Sequence, residues 1–144
     1  MKIIKEILDS KGYQIHSVAP TSTVYEALQK MAQEGIGALV VLDGEELAGI
    51  VSERDYARKI ALMGQSSTDT PVKDIMTANV ICVGSDFGVD ASMSIMSEKH
   101  VRHLVVRDDD KITGVISIGD VVKAIIDDQQ FTIEQLEHYI SGHG

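Results

Sequence analysis

A single cysteine, Cys82, rules out an internal disulfide. It stands in an apolar, strand-like run, so it reads as a buried structural thiol. Basic residues are scarce, 13 Lys and Arg against 22 Asp and Glu, and they form no long run. A DNA or RNA surface is therefore not expected. Only four arginines occur, Arg54, Arg58, Arg102 and Arg107, so an anionic ligand would need a local positive pocket. No apolar stretch approaches membrane-spanning length. Met1-Lys2-Ile3-Ile4-Lys5-Glu6 carries charges where a signal peptide would have its apolar core, and a cytoplasmic protein is expected. Paired cysteines and a helical His-x-x-x-His are also missing, which argues against zinc. His100 and His103 are three apart at a strand start, and His138 and His143 lie in the tail. Gly35-x-Gly37 has no third glycine and leads into a strand, so it is not a dinucleotide fingerprint. There is no P-loop, nucleophile elbow or kinase motif.

What the chain does have is a repeat. Gly49-Ile50-Val51-Ser52-Glu53-Arg54-Asp55 returns as Gly114-Val115-Ile116-Ser117-Ile118-Gly119-Asp120, an offset of 65 residues. At that offset, without a gap, Val18 meets Val83, Val24 meets Val89, Met31 meets Met96, and Leu39-Val40-Val41 meets Leu104-Val105-Val106. A repeat of this length marks a duplicated unit. One copy of roughly 60 residues would be marginal alone, so two pseudo-symmetric copies sharing a core are expected within the 144 residues.

The spacing predicts a leading helix from Lys2 to Ser10 within residues 1–13, stopped by Gly12. Repeat 1 covers residues 14–64. It has a strand at Gln14–Val18, a helix capped by Thr23 and Glu26 and ending at Gly35, a hairpin of Ala38–Leu42 with Leu47–Val51, and a helix from Ser52 to Gly64. Residues 65–79 are a Ser/Thr-rich linker followed by Val72-Lys73-Asp74-Ile75-Met76, which resembles Ile4-Lys5-Glu6-Ile7-Leu8. Each repeat is thus expected to begin with its own leading helix. Repeat 2, residues 80–127, has strands at Val80–Val83, Arg102–Val106 and Lys111–Ile116, a helix at Val89–Lys99 burying Val89, Met93 and Met96, and a helix at Ser117–Asp127. Residues 128–144 are a tail whose Ile133, Leu136, Tyr139 and Ile140 mark a separate short amphipathic helix. Each repeat therefore runs strand, helix, strand, strand, helix, and the fold class is mixed α/β (α+β).

Ser52-x-x-Asp55 and Ser117-x-x-Asp120 each stand where a strand becomes a helix. One reading is capping: Ser at the N-cap and an acid at the third position, favoured by the helix dipole. The other is a ligand role, in which the carboxylate accepts both hydroxyls of a ribose and free amides hold an anion. Duplication of the whole motif leans towards the ligand. Arg54 and Arg58, one turn apart, are either a solvated basic face, with Arg58 pairing to Asp55 or Glu53, or a phosphate clamp. The second repeat has Gly119 and Lys123 there instead.

From about residue 14 to 127 the chain resembles a tandem pair of CBS (cystathionine β-synthase) domains, a Bateman module. The resemblance rests on Gly-x-(aliphatic)-Ser-x-x-Asp and on the strands Ile36-Gly37-Ala38-Leu39-Val40-Val41 and Val101-Arg102-His103-Leu104-Val105-Val106. It implies a regulatory sensor of adenosine ligands such as AMP, ADP, ATP, NAD or S-adenosylmethionine, with AMP preferred here. It implies no catalytic cofactor, a homodimer, and a target protein still to be identified. The residues it places at the nucleotide are Ser22, Ala27, Gly37, Ala38, Ser52, Arg54, Asp55, Arg58, Arg102, His103, Ser117, Ile118, Gly119 and Asp120. Asp120 would share a cleft with Gly37 and Ala38, and Asp55 with Arg102 and His103. Phe87 replaces the equivalent of Ser22 in the second repeat.

Two other classes compete with a sensor. A nucleotide-processing enzyme would need a nucleophile or base beside the carboxylates, and none stands there in sequence. A pure interaction module would use Ser-x-x-Asp only to cap helices. Dimerisation is expected through Ile60, Ala61, Ile125 and Ile126, the alternative being that these side chains fill the intramolecular core. The tail helix is expected to dock on its own or the partner subunit, because so short a helix is unstable alone.

Overall fold

The computed structural model describes residues 2–140, apart from the Tyr139 side chain; His143 lies outside the described residues. The expected α/β repeats are present, each with a three-stranded sheet. The chain divides into one unit spanning Ile15–Ile81 and another joining residues 2–14 to residues 82–140. The leading helix thus belongs with the second repeat, not with the first, which it precedes in sequence.

In the first unit, β1 (Ser17–Val18) lies parallel to β2 (Ala38–Asp43), which pairs antiparallel with β3 (Glu46–Ser52). Leu39, Val40 and Val41 are all buried, as a continuous aliphatic run predicts. Helix α2 (Val24–Glu34) starts at Thr23, whose hydroxyl accepts the Glu26 N–H at 3.1 Å. It ends at Gly35 in the left-handed conformation, φ 66°, which glycine adopts without strain. Its stripe of Val24, Ala27 and Met31 packs in one core with Leu39, Val41, Val51, Ile60, Val72 and Ile75. Burying an aliphatic side chain of this size stabilises by about 1.5–3 kcal/mol. The helix expected from Ser52 to Gly64 is instead a short α-helix, α3 (Glu53–Tyr56), followed by a wider π turn over Ala57–Ala61. Within that turn Ile60 is 1% exposed. It fills its own core, so of the two readings of Ile60, dimer surface or intramolecular core, the core holds.

In the second unit, β4 (Cys82–Val83), β5 (His103–Asp108) and β6 (Lys111–Ser117) repeat the order and pairing, including a bulge after Val106 where the first sheet has one after Val41. Cys82 is exposed, against expectation. Its strand is only two residues long at a sheet edge, where alternate side chains turn outward. Helix α4 (Val89–Lys99) ends at His100, φ 55°, the left-handed position that Gly35 fills in the first repeat. Ser92, fully buried on α4, donates its hydroxyl to Gly88 O at 2.9 Å; Met93, expected in the core, is only half-buried. Helix α5 runs unbroken over Ile118–Ile140. No glycine or proline separates Asp127 from the tail, so the expected second helix is a continuation of the first. Phe131, Ile133, Leu136 and Ile140 are exposed. No helix among the described residues is long and apolar enough to cross a membrane.

Two segments close these units in equivalent ways. Helix α1 (Ile4–Lys11) donates from Ile4 N to Phe87 O and from Lys5 N to Ser85 O, while Val89 N donates to Lys2 O. In the first unit the short 3₁₀ segment Val72–Asp74 does the same: Val72 N to Ser22 O, Lys73 N to Pro20 O, and Val24 N to Thr70 O. Each segment then passes over the glycine that opens a Gly-x-(aliphatic)-Ser motif. A Cβ on Gly114 would lie 2.6 Å from Leu8 Cδ2, and one on Gly49 would lie 2.6 Å from the Thr77 carbonyl oxygen and 2.9 Å from Met76 Sδ. The motif glycines are there because another part of the chain needs the space.

Gly49→Ala should therefore lose about 1–3 kcal/mol, the usual cost of overpacking. Gly114→Ala should lose less, because a leucine methyl can turn aside and a backbone carbonyl cannot. Urea unfolding of both variants checks this; unchanged midpoints or the opposite order would contradict the packing.

Candidate functional site

At both strand-to-helix junctions the structure builds the reciprocal cap. Ser52 N–H donates to Asp55 Oδ2 at 2.9 Å while Asp55 N–H donates to Ser52 Oγ at 3.2 Å. Ser117 N–H donates to Asp120 Oδ2 at 2.8 Å while Asp120 N–H donates to Ser117 Oγ at 3.1 Å. The capping reading is thus true of both copies. It leaves each carboxylate fixed and aimed from the first turn of a helix.

Each carboxylate also has a lysine, supplied from different places. Lys59, four residues beyond Asp55, lies 3.4 Å from its Oδ1 and donates to Ile75 O at 2.8 Å. Lys59, rather than Arg58, is therefore the ion partner of Asp55. At an offset of 65 the position of Lys59 is Ala124, which has no charge. In the second repeat the lysine comes from α1: Lys11 Nζ donates to Asp120 Oδ2 at 2.8 Å and to Val115 O at 3.0 Å. Burial works against the Asp120 charge, but the Lys11 hydrogen bond and charge, with the Ser117 amide and hydroxyl, outweigh it and hold the carboxyl below its usual range. Lys11 and its neighbour in space Lys123 carry no motif signature. The signal for Lys11 was the missing counterpart of Lys59.

Asp120 opens on a pocket of about 150 Å³ walled by α1 and α5, with Lys2, Glu6, Lys11, Lys123 and Asp127 around it. That is smaller than a typical whole-ligand site of about 300–1,000 Å³, so it suits one part of a ligand. Ser117 and Ile118 form the junction beside it, half-buried, and Gly119 is exposed on the first turn. Arg102 O accepts the Ile118 N–H at 2.8 Å and His103 pairs with Ser117, so both stand next to the motif of their own repeat. The first unit matches: Gly37 O accepts the Glu53 N–H at 3.0 Å and Ala38 pairs with Ser52. Arg54, Arg58 and Arg102 are exposed. Ser22 is half-buried, and its backbone does the work that Phe87 does in the second repeat. Ala27 is 0% exposed inside the core of its own repeat.

Comparison with known proteins agrees with this duplicated architecture. The CBS domain profile matches twice, over residues 4–62 and 72–127. A CBS domain-containing protein of Arabidopsis thaliana, CBSX3, named as mitochondrial, is 39% identical over 96% of this chain and 72% of its own length. The structure of a protein with CBS domains from Burkholderia ambifaria MC40-6 superposes with a TM-score of 0.86 at 49% identity, covering 92% of this chain and 99% of that one. The CBS domain pair of protein MJ0100, in complex with 5′-methylthioadenosine and S-adenosyl-L-methionine, shares the fold with a TM-score of 0.78 at 23% identity, over 89% of this chain and 98% of its own. Two profile matches across most of the sequence, on two sheets of the same order, establish that this chain belongs to the CBS domain family and carries the domain as a tandem pair.

Proposed function

We propose that this CBS pair is a non-catalytic regulatory module that binds an adenosine nucleotide, AMP before NAD, ADP or ATP, and passes the signal to a partner protein. The observation that carries the reading is the carboxylate of Asp120, capped by Ser117 at the start of a long helix and facing a pocket with three lysines. A vicinal diol can donate two hydrogen bonds to such a carboxylate, and the lysines of the pocket can meet a phosphate. The adenosine ligands of the MJ0100 pair offer the same diol.

In this reading Asp120, with Ser117, Ile118 and Gly119, is the stronger ribose receptor. Asp55 with Ser52 is the weaker one, because both its oxygens are engaged, Oδ2 by the Ser52 amide and hydroxyl and Oδ1 by Lys59, and its helix α3 is only four residues long. The same reading assigns Gly37 and Ala38, which carry almost no side chain, to a flat base, and Ser22 to the adenosine. Arg54, Arg58, Arg102 and His103 supply positive charge for phosphate. Self-association is part of the same proposal. Val122, Ile126, Ile133, Leu136 and Ile140 recur at spacings of three, four or seven along α5 and are all exposed. Such a stripe matches a second helix of its own kind. A second copy is therefore the proposed partner.

Isothermal calorimetry with AMP checks the binding reading. Loss of hydrogen bonds to a charged group, about 1.5–3 kcal/mol each, should weaken AMP at least roughly tenfold in Asp120→Ala. Asp55→Ala should weaken the tightest site less, and AMP should be recovered unhydrolysed. The reverse ranking in folded variants would transfer the main site to Asp55.

Light scattering should give a dimer mass for the whole chain and a smaller mass, or a concentration-dependent one, for Ile126→Glu/Ile133→Glu. A monomer at every working concentration would contradict the dimer.

A further inference from the structure

We propose that Lys11 makes the Asp120 site selective for phosphorylated nucleotides over neutral nucleosides, by guarding the carboxylate and becoming a phosphate ligand once displaced. This rests on the reading of Asp120 as the ribose receptor. The argument starts from lone pairs. A carboxylate oxygen accepts about two hydrogen bonds. Asp120 Oδ2 already takes the Ser117 amide at 2.8 Å and the Lys11 ammonium at 2.8 Å, whereas Oδ1 has no partner among the described residues. A diol that grips both oxygens must therefore free one position on Oδ2. The Ser117 amide is backbone and belongs to the cap that starts α5. Lys11 is the partner that can leave: its side chain is 42% exposed, and its stem is a flexible chain of four carbons.

Its departure has a consequence. The pocket holds Lys2, Lys11 and Lys123 against Glu6, Asp120 and Asp127, so its charges are balanced. A neutral diol that takes over Asp120 leaves the Lys11 ammonium without that partner. A ligand that brings its own phosphate replaces it, within reach of the same flexible stem and beside Lys123. Nucleoside and nucleotide meet the same ribose receptor but differ in what they return to Lys11. The first repeat has no equivalent device. By the hydrogen-bond correspondence of the two closing segments, in which Ile4 matches Val72, Lys11 falls on Asn79, and the Asp55 lysine comes from its own helix.

The test is calorimetry of adenosine and AMP with the wild type, Lys11→Met and Lys11→Arg. A half-exposed pair is worth about 0.2–1 kcal/mol, so Lys11→Met should bind adenosine up to roughly fivefold more tightly. It should bind AMP no better than the wild type, so the preference for AMP over adenosine falls, and Lys11→Arg should restore it. A preference unchanged in Lys11→Met overturns the role of Lys11 while leaving Asp120 as receptor. Adenosine binding weakened by Lys11→Met overturns the guarding role in the same way. If neither ligand binds any of the three proteins, both this role and the ribose reading fall. Circular dichroism confirms that the variants are folded.

Discussion

The seat of α1 on β6 is the contact on which the second repeat depends. Leu8 is 0% exposed and lies so close to Gly114 that a Cβ there would come within 2.6 Å of it. Three residues on, and so on the same face of the helix, Lys11 reaches Val115 O and Asp120. A glycine at one end of a motif thus determines what can stand at its other end. The helix that starts the chain contributes no residue to the CBS sequence motif, yet it supplies the counter-ion of the motif's carboxylate.

The two Ser-x-x-Asp junctions show how one set of atoms can serve a fold and a site together. A cap must hold its carboxylate still at the positive end of a helix, and a receptor for hydroxyl groups needs the same. The two copies differ in what else has claimed the oxygens. Asp55 is tied to its own serine hydroxyl and to a lysine one turn away, and its helix gives way to a π turn. Asp120 begins a helix of 23 residues, and its lysine is held from another element. Duplication preserved the cap and let the surroundings diverge.

Much of this was legible in the sequence because the repeat is ungapped. An offset of 65 carried the strands, the hairpins and both carboxylates, and the Thr23 to Glu26 spacing marked the helix cap in the first repeat alone. What was not legible depends on partners distant in sequence. The similarity of Ile4–Leu8 to Val72–Met76 was visible, but not that each segment closes the repeat lying away from its expected side. Lys11 was missed because its partner is 109 residues away. The Cys82 run was read as one buried stretch although only a two-residue edge strand forms there. Ile60 reads equally as a dimer contact or as core filler, because an apolar residue on a helix does not say which surface it covers, whereas the helical stripe of Val24, Ala27 and Met31 marked its core face directly. The tail was separated from α5 because Asp127-Asp128-Gln129-Gln130 interrupts the apolar pattern, although nothing in those residues stops a helix.

The most direct test of the central claim is a crystal structure of the protein with AMP bound. The ribose hydroxyls should lie within hydrogen-bond distance, about 2.5–3.0 Å, of the Asp120 carboxylate, with the Ser117 amide still on Oδ2 and the Lys11 ammonium moved to the phosphate. AMP held elsewhere, with Lys11 still 2.8 Å from Asp120 Oδ2, would show that the carboxylate is a helix cap and nothing more.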